Sequence, residues 1–451
     1  MPDEQITFEE KASHREQSQE NDTQSPTPVV DVEKSAPPAN QIVIPDGGFQ
    51  AWMSIVGGWL VSFCTFGFAS SFGVFEDYYV QHSTETSSNI SWIGSLMLFF
   101  LFTMGLPAGK LFDMGYFHHL IAFGSLLLVF CMMMLSLADV THYYELILAQ
   151  GIGIGLGAGC LLVPALSAQS HHWRRRRSFA MGLVLTGSSV GGIIYPIMLN
   201  QLFNNGVGFA WGVRAAAFMT LGLLVIANFA LTTRLPSRRD RKRLGLPEPD
   251  HKPKISSVLT DPPYIIANIG AFLGLWGVFL PYFYLQLFVN AHGLSKNLAF
   301  YSISILNAAS IIGRTVPNAL SDRFGAFNTL TPVSLIIGGL LWVMFGATTP
   351  GGVIVFSILY GAFSGGFISL LPPTFASMAK HPEEIGVRIG FGYCFSALAL
   401  LTGTPIDGAL LGSHDAWAKP IIFSGVVILA GTACLATARM IVTKQKGTWK
   451  A

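Results

Sequence analysis

The sequence predicts an all-α membrane protein with twelve transmembrane helices in two six-helix halves. Composition is the first observation: of 451 residues 51% are hydrophobic and only 12% charged. A soluble domain carries about 25% charged residues. With 34 Phe and 48 Gly besides, the main solvent is read as lipid. The second is length: apolar windows of the ~20 residues that a spanning helix needs recur twelve times. The third is internal repetition, since the two halves of the chain echo each other at a shift of about 208 residues.

Residues 1–45 hold nine acidic and three basic residues among Pro, Ser and Gln. Such a segment buries too little apolar area to order itself, so a disordered cytosolic tail is expected, with no cleavable signal peptide. The windows follow at approximately 52–75, 90–108, 120–138, 144–168, 179–199 and 215–231, then 265–289, 298–320, 330–347, 353–376, 389–411 and 421–438. The expected units are therefore a first six-helix bundle over 46–233 and a second over 262–440. A basic linker, 234–261, joins them, and a short tail, 441–451, follows. Both connecting pieces are expected in the cytosol. With the amino terminus inside, 23 of the 27 Lys and Arg fall on the cytosolic side. "HHWRRRRS" and the linker supply twelve of them, and the inverted topology would put those clusters outside. A multi-pass protein of the plasma membrane with both termini cytosolic is expected.

The repeat is specific in its order. Gly153, Gly157, Pro164 and Gly182 meet Gly361, Gly365, Pro372 and Gly390 at a shift of 208, and Asp113 meets Asp322 at 209. Two parallel six-span repeats joined by a long linker match a known transporter plan. These residues carry a resemblance to the major facilitator superfamily, whose loops 2–3 and 8–9 hold a G-x-x-x-D-R-x-G pattern. "GKLFDMG" and "GRTVPNALSDRFG" stand there. Within it, "PDGGFQAW", "HHWRRRRSFAMGLVLTGSSVGGIIYP" and "IIGRTVPNALSDRFG" resemble the monocarboxylate-porter family, above all its fungal branch. The resemblance covers residues 45 to about 440.

The chain also departs from that family. Animal proton–lactate carriers have a lysine in the outer part of span one, where this chain has "FGFASSFGVF" with Ser70 and Ser71. They have an aspartate one turn before the span-eight arginine, where this chain has Ser310. The resemblance thus implies fold and class, and argues against a lactate-like substrate. It also implies that Asp113 with Lys110, and Asp322 with Arg323, latch the halves in the outward-open state. Solvated loop charges are the alternative.

Arg314 is the residue that most needs a reason. It lies about six residues from the cytosolic end of its span, roughly 9 Å at 1.5 Å per residue. Either its head snorkels to the interface or it faces a central cavity and pairs with a substrate anion. A buried charge costs at least ~2.5 kcal/mol, so a compensating group is expected. Asn307, Ser310 and Arg314 share one helix face by their spacing of three and four, which favours the cavity. Asp407 is the second intramembrane charge. It is a proton-coupling candidate if burial raises its affinity for a proton, or a helix-end residue near the outer interface, the reading favoured without a lysine in span one.

Further cavity candidates are Thr65, Ser70, Gln169, Tyr195, Asn200, Tyr282, Tyr284 and Gln286, at the midplane between halves. Arg314, Asn307, Ser310, Tyr284, Ser70 and Tyr195 form the expected substrate set. Asp46 is expected to cap the first helix. Asn89 opens an outward N-x-S glycosylation sequon that abuts span two. "GIGIGLG" has dinucleotide-like spacing but sits mid-span with no strand before it, so close helix packing is the reading. The five cysteines lie in apolar runs without disulfide or zinc spacing. No metal, no cofactor and no nucleic acid are expected. No nucleophile–base constellation suggests an enzyme.

The expected function is secondary active transport of a small organic solute, anionic or carboxylate-bearing, by alternating access. A proton is a candidate partner, the lipid bilayer is the solvent, and a monomer suffices. Export of a secondary metabolite is the alternative. A transporter-like nutrient sensor is the alternative from another class, disfavoured because the tail and linker are too short and featureless for signalling modules.

Overall fold

A segment in hydrocarbon must satisfy every backbone N–H and C=O within itself, and these apolar windows do so as helices. The structure, a computed structural model, describes residues 46–83, 85–234, 243, 245, 258–412 and 416–450. The expectations for the amino-terminal tail and for most of the central linker concern residues outside the described ones. In the first half, α1 is Phe49–His82, α2 Asn89–Asp113, α3 Phe117–Leu135, α4 Tyr143–Gln169, α5 Arg177–Asn204 and α6 Phe209–Ala230. In the second, α7 is Pro262–Ala291, α8 Lys296–Phe324, α9 Ala326–Gly346, α10 Pro350–Ser377, α11 Ile385–Leu411 and α12 Ala418–Lys446. Eleven of these are long and apolar enough to cross a membrane by composition alone. The exception is α8, the helix of Arg314, whose polar stripe lowers its hydropathy.

The helix pairings repeat when each label is advanced by six. In the first half α1 packs on α5 and α6, and α4 on α2 and α3, with α3 on α6. In the second α7 packs on α11 and α12, and α10 on α8 and α9, with α9 on α12. The halves meet along two seams related the same way, α5 on α8 and α11 on α2. The sequence repeat is therefore a repeat of contacts, in two halves that each bury the same set of helix faces. Lipid-directed faces are apolar, with Phe123, Phe130, Phe218 and Phe229 more than half exposed, as expected for a surface that hydrocarbon covers.

Small residues make the seams close. A Cβ on Gly109 would stand 2.1 Å from the Gly386 carbonyl oxygen, and one on Gly390 2.2 Å from that of Gly105. On the other seam a Cβ on Gly182 would stand 2.3 Å from the Arg314 carbonyl oxygen. Backbones this close need glycine, because no side chain fits between them.

Local chemistry starts and bends the helices. Thr86, Ser295 and Thr349 cap α2, α8 and α10 through their hydroxyls. In α1 a π-helical turn at Phe63–Gly67 precedes a break at Ser70–Ser71, and α4 holds a π-helical stretch at Ile147–Ile154. Asp46 corrects an expectation: the residue before α1 is Gly48, without a side-chain cap. The Asp46 carboxylate instead accepts the main-chain N–H groups of Arg174 and, at 2.6 Å, Arg175. It ties the entry of α1 to the basic loop before α5. That end of the bundle, where Arg174–Arg177, Arg388 and Lys446 gather, is called the basic face below.

Candidate functional site

The two faces of α8 decide how Arg314 is placed. Ile312 and Val316 are 63% and 51% exposed, whereas Asn307, Ser310, Arg314, Asn318 and Ser321 are all buried, Arg314 to 1%. The polar stripe thus faces protein at the α5 seam, and the head of Arg314 does not reach the bundle's outer surface. Arg314 sits about 15 Å, ten residues, from the basic end of α8. Its Nη1 donates to the Leu185 carbonyl at 2.6 Å and to the Ser188 hydroxyl, both on α5. Nε has no acceptor among the described residues. Ser310 and Ser189 join hydroxyls across the same seam at 2.7 Å. Asn307 lies against Gly192 of α5.

Arg388 supplies the contrast. It too is 1% exposed, at the start of α11. Its Nη1 pairs with Asp261 at 2.9 Å, its Nε approaches Glu384 at 3.5 Å, and its guanidinium lies over the Tyr264 ring. Buried charges ordinarily pair in this way. No carboxylate lies within 4 Å of Arg314 among the described residues. The phenols of Tyr282 and Tyr393 are its electrostatic neighbours instead.

Above Arg314, toward the face opposite the basic one, aromatic side chains from both halves meet. Phe66 of α1 and Phe279 of α7 have ring centroids 6.4 Å apart, and Phe102 of α2 and Tyr393 of α11 are 4.8 Å apart. Beyond this layer lies a cavity of about 620 Å³, lined by Glu76, Ser91, Trp92, Ser95, Tyr284 and Thr404 among others. Glu76 accepts from the Ser91 hydroxyl at 2.5 Å. Ser95 and Thr404 approach at 3.3 Å from opposite halves. Neither Arg314 nor the residues it bonds are among the cavity's described lining.

Two equivalent contacts bridge the halves at the basic face. The Asp113 carboxylate accepts the N–H groups of Gly386 and Val387 at 3.1 and 2.7 Å, at the start of α11. The Asp322 carboxylate accepts those of Ser178 and Phe179, each at 2.9 Å, at the start of α5. Each loop thus caps a helix of the other half, where unpaired N–H groups and the helix dipole favour an anion. Lys110 and Arg323 stay exposed on the same turns.

The other sequence candidates scatter. Tyr284 lines the cavity and donates to the Thr404 carbonyl at 2.9 Å. Ser70 bonds the Phe66 carbonyl at the break in α1. Tyr195 turns away from the centre, its hydroxyl 2.6 Å from Thr220 of α6. Thr65 bonds its own helix and Gln169 ties α4 to Ser54 of α1. Gln286 is exposed, and Asn200 accepts from Asn204. Tyr282 is the exception, standing beside Arg314 and 3.2 Å from Ser364. Asp407 lies near the end of α11 and is 1% exposed. It accepts from Ser424 at 3.2 Å through one oxygen, and the other has no partner among the described residues. Asn89 is exposed, and its amide donates to Glu85 at 2.8 Å.

Sequence reasoning missed Ser188, Tyr393, Glu76 and Arg388. The Ser188–Ser189 pair inside an apolar span was the one available signal for the α5 side of the site. In the loop after α4, burial pushes the His171 imidazole down to about 3, with nearby His172 acting the same way. It stays neutral and packs against Phe112, a structural part of the basic face.

Among known proteins, the model for the Major Facilitator Superfamily matches residues 58–350. The chain is 41% identical over 400 residues to the aspyridones efflux protein apdF of Emericella nidulans, covering 88% of this chain and 79% of that one. It is 40% identical to the agnestins efflux protein AgnL12 of Paecilomyces divaricatus (87% and 88% covered). With MFS transporter asaE of Aspergillus flavus it shares 39% identity (93% and 94% covered). Among solved structures it resembles the transporter FucP in its outward conformation, with TM-score 0.64 at 16% identity, over 86% of this chain and 99% of that one.

Proposed function

Because this chain belongs to the major facilitator superfamily, we propose that it is an exporter of a small organic secondary metabolite, anionic or rich in acidic oxygens, working by alternating access. The observation that carries this reading is Arg314, a buried guanidinium at the seam between halves that has, among the described residues, no carboxylate partner and no acceptor for its Nε. A substrate anion offsets the cost of burying it, and Arg presents a planar fork suited to carboxylate or enolate oxygens. Tyr282 and Tyr393 supply hydroxyls and aromatic faces beside it. Efflux is favoured over uptake because two of its relatives are named as efflux proteins for fungal metabolites. The stretches around "PDGGFQAW" and "IIGRTVPNALSDRFG" favour a monocarboxylate-porter-like branch within the superfamily.

The excess of Lys and Arg on the basic face favours that face, and both termini, in the cytosol. Export from the cell favours the plasma membrane. The cavity on the opposite face then belongs to an outward-facing state, with Arg314 outside its described lining. Asn307, Ser310, Tyr284 and Ser70 remain candidates for substrate contact as it passes, whereas Tyr195 supports packing in the first half.

Substrate and direction are read together by comparing metabolites inside and outside cells with and without this chain. With the exported compound in hand, Arg314→Ala at equal surface abundance is expected to lower flux at least about tenfold, since a charge-assisted hydrogen bond contributes ~1.5–3 kcal/mol. Unchanged flux would sink the anion-anchor reading. The oxygen of buried Asp407 that has no partner among the described residues favours a second role, proton coupling. Asp407→Asn in vesicles with an imposed pH gradient is expected to abolish the gradient's effect on flux while leaving exchange intact. A wild-type flux indifferent to the gradient would remove this role.

A further inference from the structure

A second pocket, of about 510 Å³, opens on the basic face. Five basic side chains line it, Arg174, Arg175, Arg177, Lys446 and Lys450, against the single carboxylate of Asp322. That carboxylate is already committed to the N–H groups of Ser178 and Phe179. Lys450 donates to the Asp322 main-chain carbonyl at 2.8 Å, which neutralises nothing. No carboxylate oxygen lies within 4 Å of the side-chain nitrogens of Arg174, Arg175, Arg177 or Lys446 among the described residues; Asp322 attracts Arg177 from farther away, and Arg177 and Lys446 repel each other. Like charges gathered in one concavity raise the local potential and call for a multivalent anion.

We propose that this pocket binds a phosphate-bearing anion and that its occupancy holds the basic face closed. Phosphate fits the residues present. Guanidinium groups engage its oxygens in pairs and ammonium groups act as point charges beside them. The pocket lies where α5, α8, α9, α10 and α12 end or begin, the level at which lipid phosphates stand. Its two walls belong to different halves. Arg174, Arg175 and Arg177 lead into α5, whereas Lys446 and Lys450 end the second half. Opening the basic face pulls these walls apart and splits the pocket. A ligand that bridges them binds the closed state better, and so shifts the equilibrium toward it. The cytosolic placement of the pocket rests on the orientation proposed above; the binding itself does not.

The test uses the full chain in phosphatidylcholine nanodiscs. One arm adds a few mole per cent phosphatidylinositol 4-phosphate to the discs; the other adds soluble pyrophosphate. Binding is read by retention in native mass spectrometry and by the shift in unfolding temperature. Closure is read by alkylation of a cysteine placed at buried Val387, at the other seam and outside the pocket, with the five native cysteines replaced. Wild type is expected to bind, unfold at higher temperature and label more slowly in at least one arm. Arg175→Gln with Lys446→Gln is expected to weaken binding about tenfold or more. Lys444→Gln, on the same helix but outside the pocket, is expected to bind as wild type. Response to the lipid alone assigns the phosphate to a headgroup, and response to pyrophosphate assigns it to a soluble ligand; either supports the proposal. No binding in either arm, or equal binding by the double variant, overturns it. None of these readouts requires transport, so their failure is distinguishable from failure of the export reading.

Discussion

Arg314 and Arg388 are equally buried, yet they do opposite things. Arg388 is held by Asp261, Glu384 and the Tyr264 ring, so removing it leaves two carboxylates uncompensated at the start of α11. Breaking a buried pair costs roughly 3–5 kcal/mol. Arg388→Ala is therefore expected to lower the abundance of folded protein in the membrane, checked by fluorescence-detected size exclusion of a tagged chain. Among the described residues Arg314 has neutral partners, the Leu185 carbonyl, the Ser188 hydroxyl and the Tyr282 phenol. Arg314→Ala is expected to keep abundance while losing flux. An equal loss of abundance in both variants would mean that Arg314 is a packing residue. The charge of Arg314 was legible in the sequence, and its stripe-mates Asn307 and Ser310 gave its face. Ser188 and Tyr393 were not legible as partners, because nothing local marks which serine or tyrosine of another helix will arrive there.

At the scale of elements, helix packing is set by glycine backbones and by carboxylates that cap a distant helix. The α2–α11 seam brings Gly105 and Gly109 against Gly386 and Gly390. Gly109→Val places side-chain atoms where the Gly386 carbonyl now stands, an overpacking that costs about 1–3 kcal/mol. Its unfolding temperature in detergent is expected to fall, while Gly339→Ala, with open space around it, is expected to be neutral. A Gly109→Val variant as stable as wild type would contradict so close a seam. Sequence periodicity located these glycines and the helices that hold them. It did not say which helix each would meet, since small-residue spacing marks a packing face without naming its partner.

At the scale of the whole molecule, the pairings repeat when helices are advanced by six, and the two aspartate contacts repeat with them. Each aspartate bridges the halves through charge-assisted bonds to main-chain N–H groups. Replacing both, Asp113→Ala with Asp322→Ala, removes four such bonds on the closed face. The population with an open basic face is then expected to rise on the order of tenfold or more, given ~1.5–3 kcal/mol for each bond to a charged group. Faster alkylation of a cysteine at Val387 is the measurement, and an unchanged rate would show that the seam glycines alone keep the face shut. The same labelling reads the opposite shift expected from a phosphate ligand bridging Arg175 and Lys446.

The sequence by itself determined the solvent, the helices and the repeat. Low charge and ~20-residue apolar windows leave helices as the only open-chain structure that satisfies its backbone in lipid. Matching Gly, Pro and Asp positions betrayed the two halves. It also found Arg314 and the two loop aspartates, because charges in or beside apolar runs are conspicuous. Tertiary structure alone decided what those charges meet. It gave Asp113 and Asp322 main-chain N–H groups of the other half to bind, sent Tyr195 into its own half, and gathered cations from residues 174 to 450 into one pocket. The reason is physical: a window's hydropathy is fixed by its own residues, whereas a hydrogen bond or ion pair across a seam depends on the close approach of chain segments far apart in sequence.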